Sequence, residues 1–76
     1  MKTFVLCKLT PGKEQAAVSA IRAIDGVVEV YLVFGGWDVI LVAEADTVDK
    51  LSHLVVGRVR AVDGVAATET LVTTSL

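Results

Sequence analysis

Ile21-Arg22-Ala23-Ile24-Asp25-Gly26-Val27 returns as Val59-Arg60-Ala61-Val62-Asp63-Gly64-Val65, 38 residues further along the chain. Each copy reads as the end of a helix, a glycine stop and the first residue of a strand, because glycine readily takes the left-handed conformation that closes a helix. The same joint used twice implies two βαβ halves. Working outward from the two copies yields the order β-α-β-β-α-β, the ferredoxin-like split βαβ.

Upstream of the first copy, residues 2 to 9 (Lys-Thr-Phe-Val-Leu-Cys-Lys-Leu) read as a strand ended by Thr10-Pro11-Gly12. A helix is expected from Lys13 to Ile24, with Ala17, Val18, Ile21 and Ile24 as its apolar stripe. Between the copies lie two β-rich runs, Val28 to Phe34 and Asp38 to Ala45, joined by the turn Gly35-Gly36-Trp37-Asp38. Asp46 or Thr47 then caps a second helix, whose stripe is Leu51, Val55, Val59 and Val62, widened by Val48 and Leu54. The last strand runs from Ala66 to about Thr74. The expected fold class is α+β, a four-stranded antiparallel sheet with two helices on one face, in one domain spanning residues 1–76.

The bulk chemistry narrows the function. Seven basic against nine acidic residues, a net charge of −2, provide no basic patch for nucleic acid. The single Cys7 excludes an intrachain disulfide and a cysteine zinc site, and its place in an apolar strand reads as a buried, inert thiol. The greasy window from Val27 to Ala45 is broken by Glu29, Gly35-Gly36, Asp38 and Glu44, so it fits a hairpin and not a membrane-spanning helix. No secretory signal is visible, and a cytoplasmic location is the default expectation.

The chain is 54% hydrophobic with a mean hydropathy of +0.69, and the strands are apolar on both faces. Two helices cover only one face of a four-stranded sheet. A contiguous apolar patch on the other face calls for a partner. Dimerisation sheet to sheet about a two-fold axis is the simplest closure.

Few residues offer chemistry. The lone His53 reads as a solvated helix residue, with no second histidine or cysteine pair to make a metal site. The glycine pair matches no phosphate-binding loop. No catalytic residue, metal or cofactor is expected. Two features remain, each with an unexceptional reading beside it. In Gly35-Gly36-Trp37-Asp38, glycine amides can approach a ligand and Asp38 can accept from an ammonium group; otherwise it is a hairpin loop with Trp37 against a neighbouring subunit. In the last strand Thr68, Thr70 and Val72 share a face by period two, and can be either a ligand surface or an ordinary threonine ladder.

The run Val30-Tyr31-Leu32-Val33-Phe34-Gly35-Gly36-Trp37-Asp38, the joint Val62-Asp63-Gly64-Val65 and the strand Thr68-Glu69-Thr70 resemble the effector-binding (RAM) domain of Lrp/AsnC-type transcription regulators. The resemblance implies homodimers that assemble further, an amino acid bound between dimers, and control through assembly state or co-assembly with full-length regulators. Carried over by position, it implies an effector site of Gly35, Gly36, Trp37, Asp38, Thr68, Thr70, Leu71 and Val72. Asp38 would meet the amino group, and Leu71 and Val72 the side chain. Full-length members carry an N-terminal helix-turn-helix domain. This chain opens directly in a strand, so a stand-alone form without direct DNA contact is the expectation. The alternatives are an interaction module with no ligand, and a small dimeric α+β barrel enzyme such as a monooxygenase, which would require His53 in a cleft between facing sheets.

Overall fold

A computed structural model describes residues 1–74; positions 75 and 76 of the expected domain lie outside the described residues. The elements run β1 (Lys2–Leu9), α1 (Glu14–Arg22), β2 (Val27–Leu32), β3 (Val39–Glu44), α2 (Val48–Leu54) with a π-helix (Val55–Val59), and β4 (Val65–Val72). All strand pairs are antiparallel, in the order β2-β3-β1-β4. The ferredoxin-like α+β expectation holds, with β1 and β3 central and β2 and β4 at the edges.

The two glycine joints match almost bond for bond. Gly26 and Gly64 have φ of +95° and +100°. The amides of Val27 and Val65 reach back to Ile24 O (3.2 Å) and Val62 O (3.1 Å), and those of Ile24 and Val62 to Ile21 O (3.1 Å) and Val59 O (3.2 Å). Each glycine carbonyl then accepts from a residue at or just past the end of another strand. Glu44 N–H donates to Gly26 O (2.8 Å), and Thr10 N–H to Gly64 O (2.7 Å). The likeness extends past the repeated residues, because the register slips just after each joint. Val27 faces Ala43 while Glu29 faces Val42, and Val65 faces Leu9 while Ala67 faces Lys8. Val28 and Ala66 are therefore the extra residues of two β-bulges.

The core lies between the sheet and the helices. Val5, Cys7, Val39, Leu41 and Ala43 from the central strands meet Ala17, Ile21, Leu51, Val55 and Val59 from the helices, all buried. The apolar stripe expected of α1 is thus the one it buries, with Val18 and Ile24 completing it. The first helix is shorter than Lys13–Ile24. Lys13 sits outside it with φ −115° and ψ 7°, and the far end tightens into bonds from Ala23 to Ala20 and Ile24 to Ile21. Between the possible caps of α2, Thr47 wins, its hydroxyl accepting from Lys50 N–H at 3.1 Å.

Two expectations for the second helix fail. It does not continue as an α-helix to Val62. After Leu54 it widens, and Arg60 N–H donates to Val55 O, five residues back, at 2.9 Å. Gly57 is a poor α-former, and the wider turn still keeps Val55 and Val59 in the core. Val48 does not widen the apolar stripe either. As the first helical residue it is 64% exposed.

Gly64→Ala should be costly for two reasons. Its φ is left-handed, and an added Cβ would stand 3.0 Å from Lys13 Cβ and 3.2 Å from Ala17 Cβ. Urea unfolding should show a loss of about 1–3 kcal/mol. Gly12→Ala, with φ +89° but no heavy atom within 4 Å of the new Cβ, should lose less.

Candidate functional site

The hairpin turn is held from its base. Val33 N–H donates to Asp38 O (3.0 Å), so the loop enclosed is Phe34-Gly35-Gly36-Trp37. Asp38 belongs to the base and not to the tip, one residue off the turn read from sequence. The physical cause is β1. Asp38 N–H donates to Cys7 O (2.9 Å), and Asp38 Oδ2 accepts from Leu9 N–H (2.8 Å). Its other oxygen, Oδ1, accepts from none of the described side chains or amides. Lys8 Nζ clamps the loop from outside by donating to Gly36 O at 3.0 Å. Gly35 has φ +143° in open space, so backbone geometry and not crowding favours glycine there. Trp37 is half-buried, and Phe34 is fully exposed. Both Val33 and Phe34 lie outside β2, which ends at Leu32.

Register fixes the other candidates. Thr68 lies opposite Cys7, Thr70 opposite Val5 and Val72 opposite Thr3. These three share the face that the helices cover, as period two requires, although Thr70 and Val72 remain exposed at the sheet edge. Leu71 lies opposite Phe4 and therefore points to the other face. Leu71 and Val72 cannot touch one ligand side chain from the same side of the strand.

Among the described residues no hydrogen bond joins the two sets within one chain, although Asp38 and Thr68 flank the same β1 residue, Cys7. The hairpin joins β2 to β3, β4 is the far edge, and β1 runs between β3 and β4. Two strand spacings, about 10 Å, separate β3 from β4. The helix-free face carries Phe4, Leu6, Tyr31, Ile40, Val42 and Leu71, with Glu29, Glu69 and Lys8 among them; Tyr31 and Leu71 are about half exposed. Tyr31 OH donates to Glu29 on the same strand.

The reactive groups are quiet. Cys7 is fully buried, and desolvation pushes its thiol up from 9.0 to about 11. Among the described residues no three His, Cys, Asp or Glu side chains are grouped to hold a metal. No helix of the described residues is long and apolar enough to cross a membrane. His53 is exposed on α2, in the helix layer, so it does not stand on the face where a second sheet would pack.

Sequence reasoning missed one place. An open surface groove of about 570 Å3 lies between α2 and the ends of β2 and β3, lined by exposed His53, Lys50, Arg58, Asp25, Glu44 and Asp46. The spacing of Lys50, His53, Gly57 and Arg58 marks one helix face and was the available signal.

A family model described as the Lrp/AsnC ligand binding domain matches residues 2–75. An uncharacterized HTH-type transcriptional regulator of Pyrococcus horikoshii is 32% identical over 72 residues, which cover 91% of this chain and 48% of that protein. The chain thus spans about half the length of such relatives. Among solved structures, a Thermus thermophilus protein superposes with a TM-score of 0.91 at 31% identity, over 99% of this chain and 94% of that one. A Neisseria meningitidis transcriptional regulator solved as an L-Met complex shares the fold, with a TM-score of 0.88 at 17% identity, over 97% of this chain and 49% of that one.

The raised Cys7 thiol has a measurable consequence. As pH climbs from about 9 towards 11 the unfolded chain ionises first, so stability should fall across that window. Cys7→Ala should be less stable throughout but show a shallower fall, as read by urea unfolding at stepped pH. At neutral pH the native thiol should resist a thiol reagent until the chain is unfolded.

Proposed function

The chain belongs to the Lrp/AsnC ligand-binding domain family of transcription regulators, and from that premise we propose that it is a non-catalytic effector-binding and assembly module. In this reading, copies pair through their helix-free sheet faces, and dimers associate further. A free amino acid binds where they meet and shifts the balance between assemblies, alone or in co-assembly with full-length regulators of the family. A ligand acts in this way only through different affinities for the assemblies.

The observation that carries the reading is the separation of the two candidate sets. Gly35, Gly36, Trp37 and Asp38 stand at one end of β3, and Thr68, Thr70 and Val72 stand beyond β1. In this reading the site draws them from different copies, and a site so built is linked to assembly. The apolar helix-free face supports the pairing, since a patch of this kind is stabilised by coverage. The L-Met complex of the similarly folded Neisseria regulator supports the ligand class. In the proposed site Asp38 Oδ1 takes the ammonium group, Gly35 and Gly36 supply backbone contacts, and Thr68 and Thr70 supply hydroxyls. Trp37 walls the pocket, and Val72 or Leu71 meets the ligand side chain, according to which face of β4 is used.

A second reading, an assembly module without ligand, is favoured by the bond from Leu9 N–H to Asp38 Oδ2. That bond gives the carboxylate a structural task of its own, sufficient to account for the residue.

Light scattering after size exclusion should return a multiple of 8.0 kDa at micromolar concentration; a monomer would sink the assembly reading. Calorimetry against each common amino acid should then find one that binds. Asp38→Asn retains an acceptor for Leu9 N–H but removes the charge, and should weaken that ligand by about tenfold or more at nearly unchanged stability. Asp38→Ala also strips the Leu9 amide of its partner and should cost about 1–3 kcal/mol in folding. Assembly with no heat from any amino acid would select the second reading.

A further inference from the structure

We infer that α1 and the hairpin form a second contact surface between copies of this chain. Phe34 of one copy seats in the groove between α1 and β2 of another, and the two α1 helices lie antiparallel about a two-fold axis. This contact rests on the assembly reading above and deepens it: the sheet faces make each dimer, and α1 joins one dimer to the next.

Phe34 is the first residue of the hairpin loop, and its ring is fully exposed. β2 has ended at Leu32, and the bonds that hold the loop are made by Val33, Gly36 and Asp38. An aromatic ring left in water is stabilised by coverage. Two residues back, Leu32 is 64% exposed. It lies opposite Val39 of the core and so faces the helix layer. Leu32 and Val18 form the floor of an open groove of about 520 Å3 along α1, with Gln15 and Ser19 at its side. The groove has room for a phenyl ring, and the fully exposed Phe34 of the same chain does not fill it.

The charges at the groove ends decide the occupant. Glu14 and Arg22 stand at the two ends of the nine-residue α1, about 12 Å apart. Neither has an ion-pair partner among the described residues. A second α1 laid antiparallel across a two-fold axis brings Glu14 of each copy to Arg22 of the other. A surface that is its own charge complement fits a second copy of this chain, and an isologous pair closes on itself. The place of Phe34 agrees. α1 and β2 are joined by the tight reversal at Gly26 and run antiparallel, so Leu32 and Phe34 stand at the Glu14 end. The two-fold axis carries each Phe34 to the Arg22 end of the other groove, where a guanidinium over the ring adds a cation–π contact.

Light scattering and native mass spectrometry of the intact chain at micromolar concentration test this contact. The wild type should exceed a dimer, which is twice 8.0 kDa. Phe34→Ser and Arg22→Glu should each bring the mass down to that dimer, and Glu14→Arg combined with Arg22→Glu should restore the larger form. All three positions are exposed; Phe34→Ser serves alone if the doubly changed chain does not fold. Leu71→Glu, on the helix-free face, is the control for sheet pairing. A mass that Phe34→Ser and Arg22→Glu leave unchanged would overturn the α1 contact, and the proposed function stands if Leu71→Glu still lowers that mass. A folded double variant that stays a dimer would also overturn it. A wild-type dimer split by Arg22→Glu but not by Leu71→Glu would keep the α1 contact and overturn the sheet pairing. A wild-type monomer would overturn both.

Discussion

Two glycines in left-handed conformation, Gly26 and Gly64, set the geometry on which the rest of the chain depends. Each reverses the backbone from helix to strand within three residues, and each lends its carbonyl to the end of a strand from elsewhere, to Glu44 of β3 in one case and to Thr10, just past β1, in the other. A helix stop and a sheet-closing bond are thus the same peptide. The helices cannot slide along the sheet without breaking those bonds, and the apolar stripes of α1 and α2 are delivered onto β1 and β3 as a result. The Lys13–Asp63 pair adds an exposed tie between the start of α1 and the second joint, of a kind worth only tenths of a kcal/mol.

The hairpin obeys a different constraint. Its position is decided by β1, which receives the Asp38 amide at Cys7 and offers the Leu9 amide to the Asp38 carboxylate. This makes Asp38 a residue with two possible employers. One oxygen is committed to the fold, and the other accepts no bond among the described residues. A fold that fixes a carboxylate through one oxygen pre-orients the second, which lowers the entropy lost when a ligand binds.

What the chain discloses as text follows from the range of each signal. The joints, the α1 stripe and the period-two alternation of Thr68, Thr70 and Val72 are local patterns and can be read from neighbours in sequence. The π-helix was invisible because Leu51, Val55, Val59 and Val62 keep helical spacing in either helix type. The base of the hairpin was misplaced by one residue because the bonds that fix Asp38 come from Cys7 and Leu9, some thirty residues away. The groove beside α2 is not legible in the sequence, because Lys50, His53 and Arg58 look like a solvated helix face until the fold brings Asp25 and Glu44 near them. The separation of the hairpin from the threonine strand is a matter of strand order, which no local pattern encodes.

The bulges at Val28 and Ala66 bear on how the sheet can grow. Both fall on edge strands, where unpaired amides and carbonyls invite another chain to add alongside. Beyond each bulge the regular stretch runs from Glu29 to Leu32 on β2, which is short, and from Ala67 to Val72 on β4, which is of ordinary strand length. A foreign strand finding either edge would meet a kink within a few residues, and the two kinks fall at related points of the two halves. The duplicated joint therefore does more than build the domain twice. It also bends both rims of the sheet, one of the devices by which edge strands discourage the addition of a foreign strand.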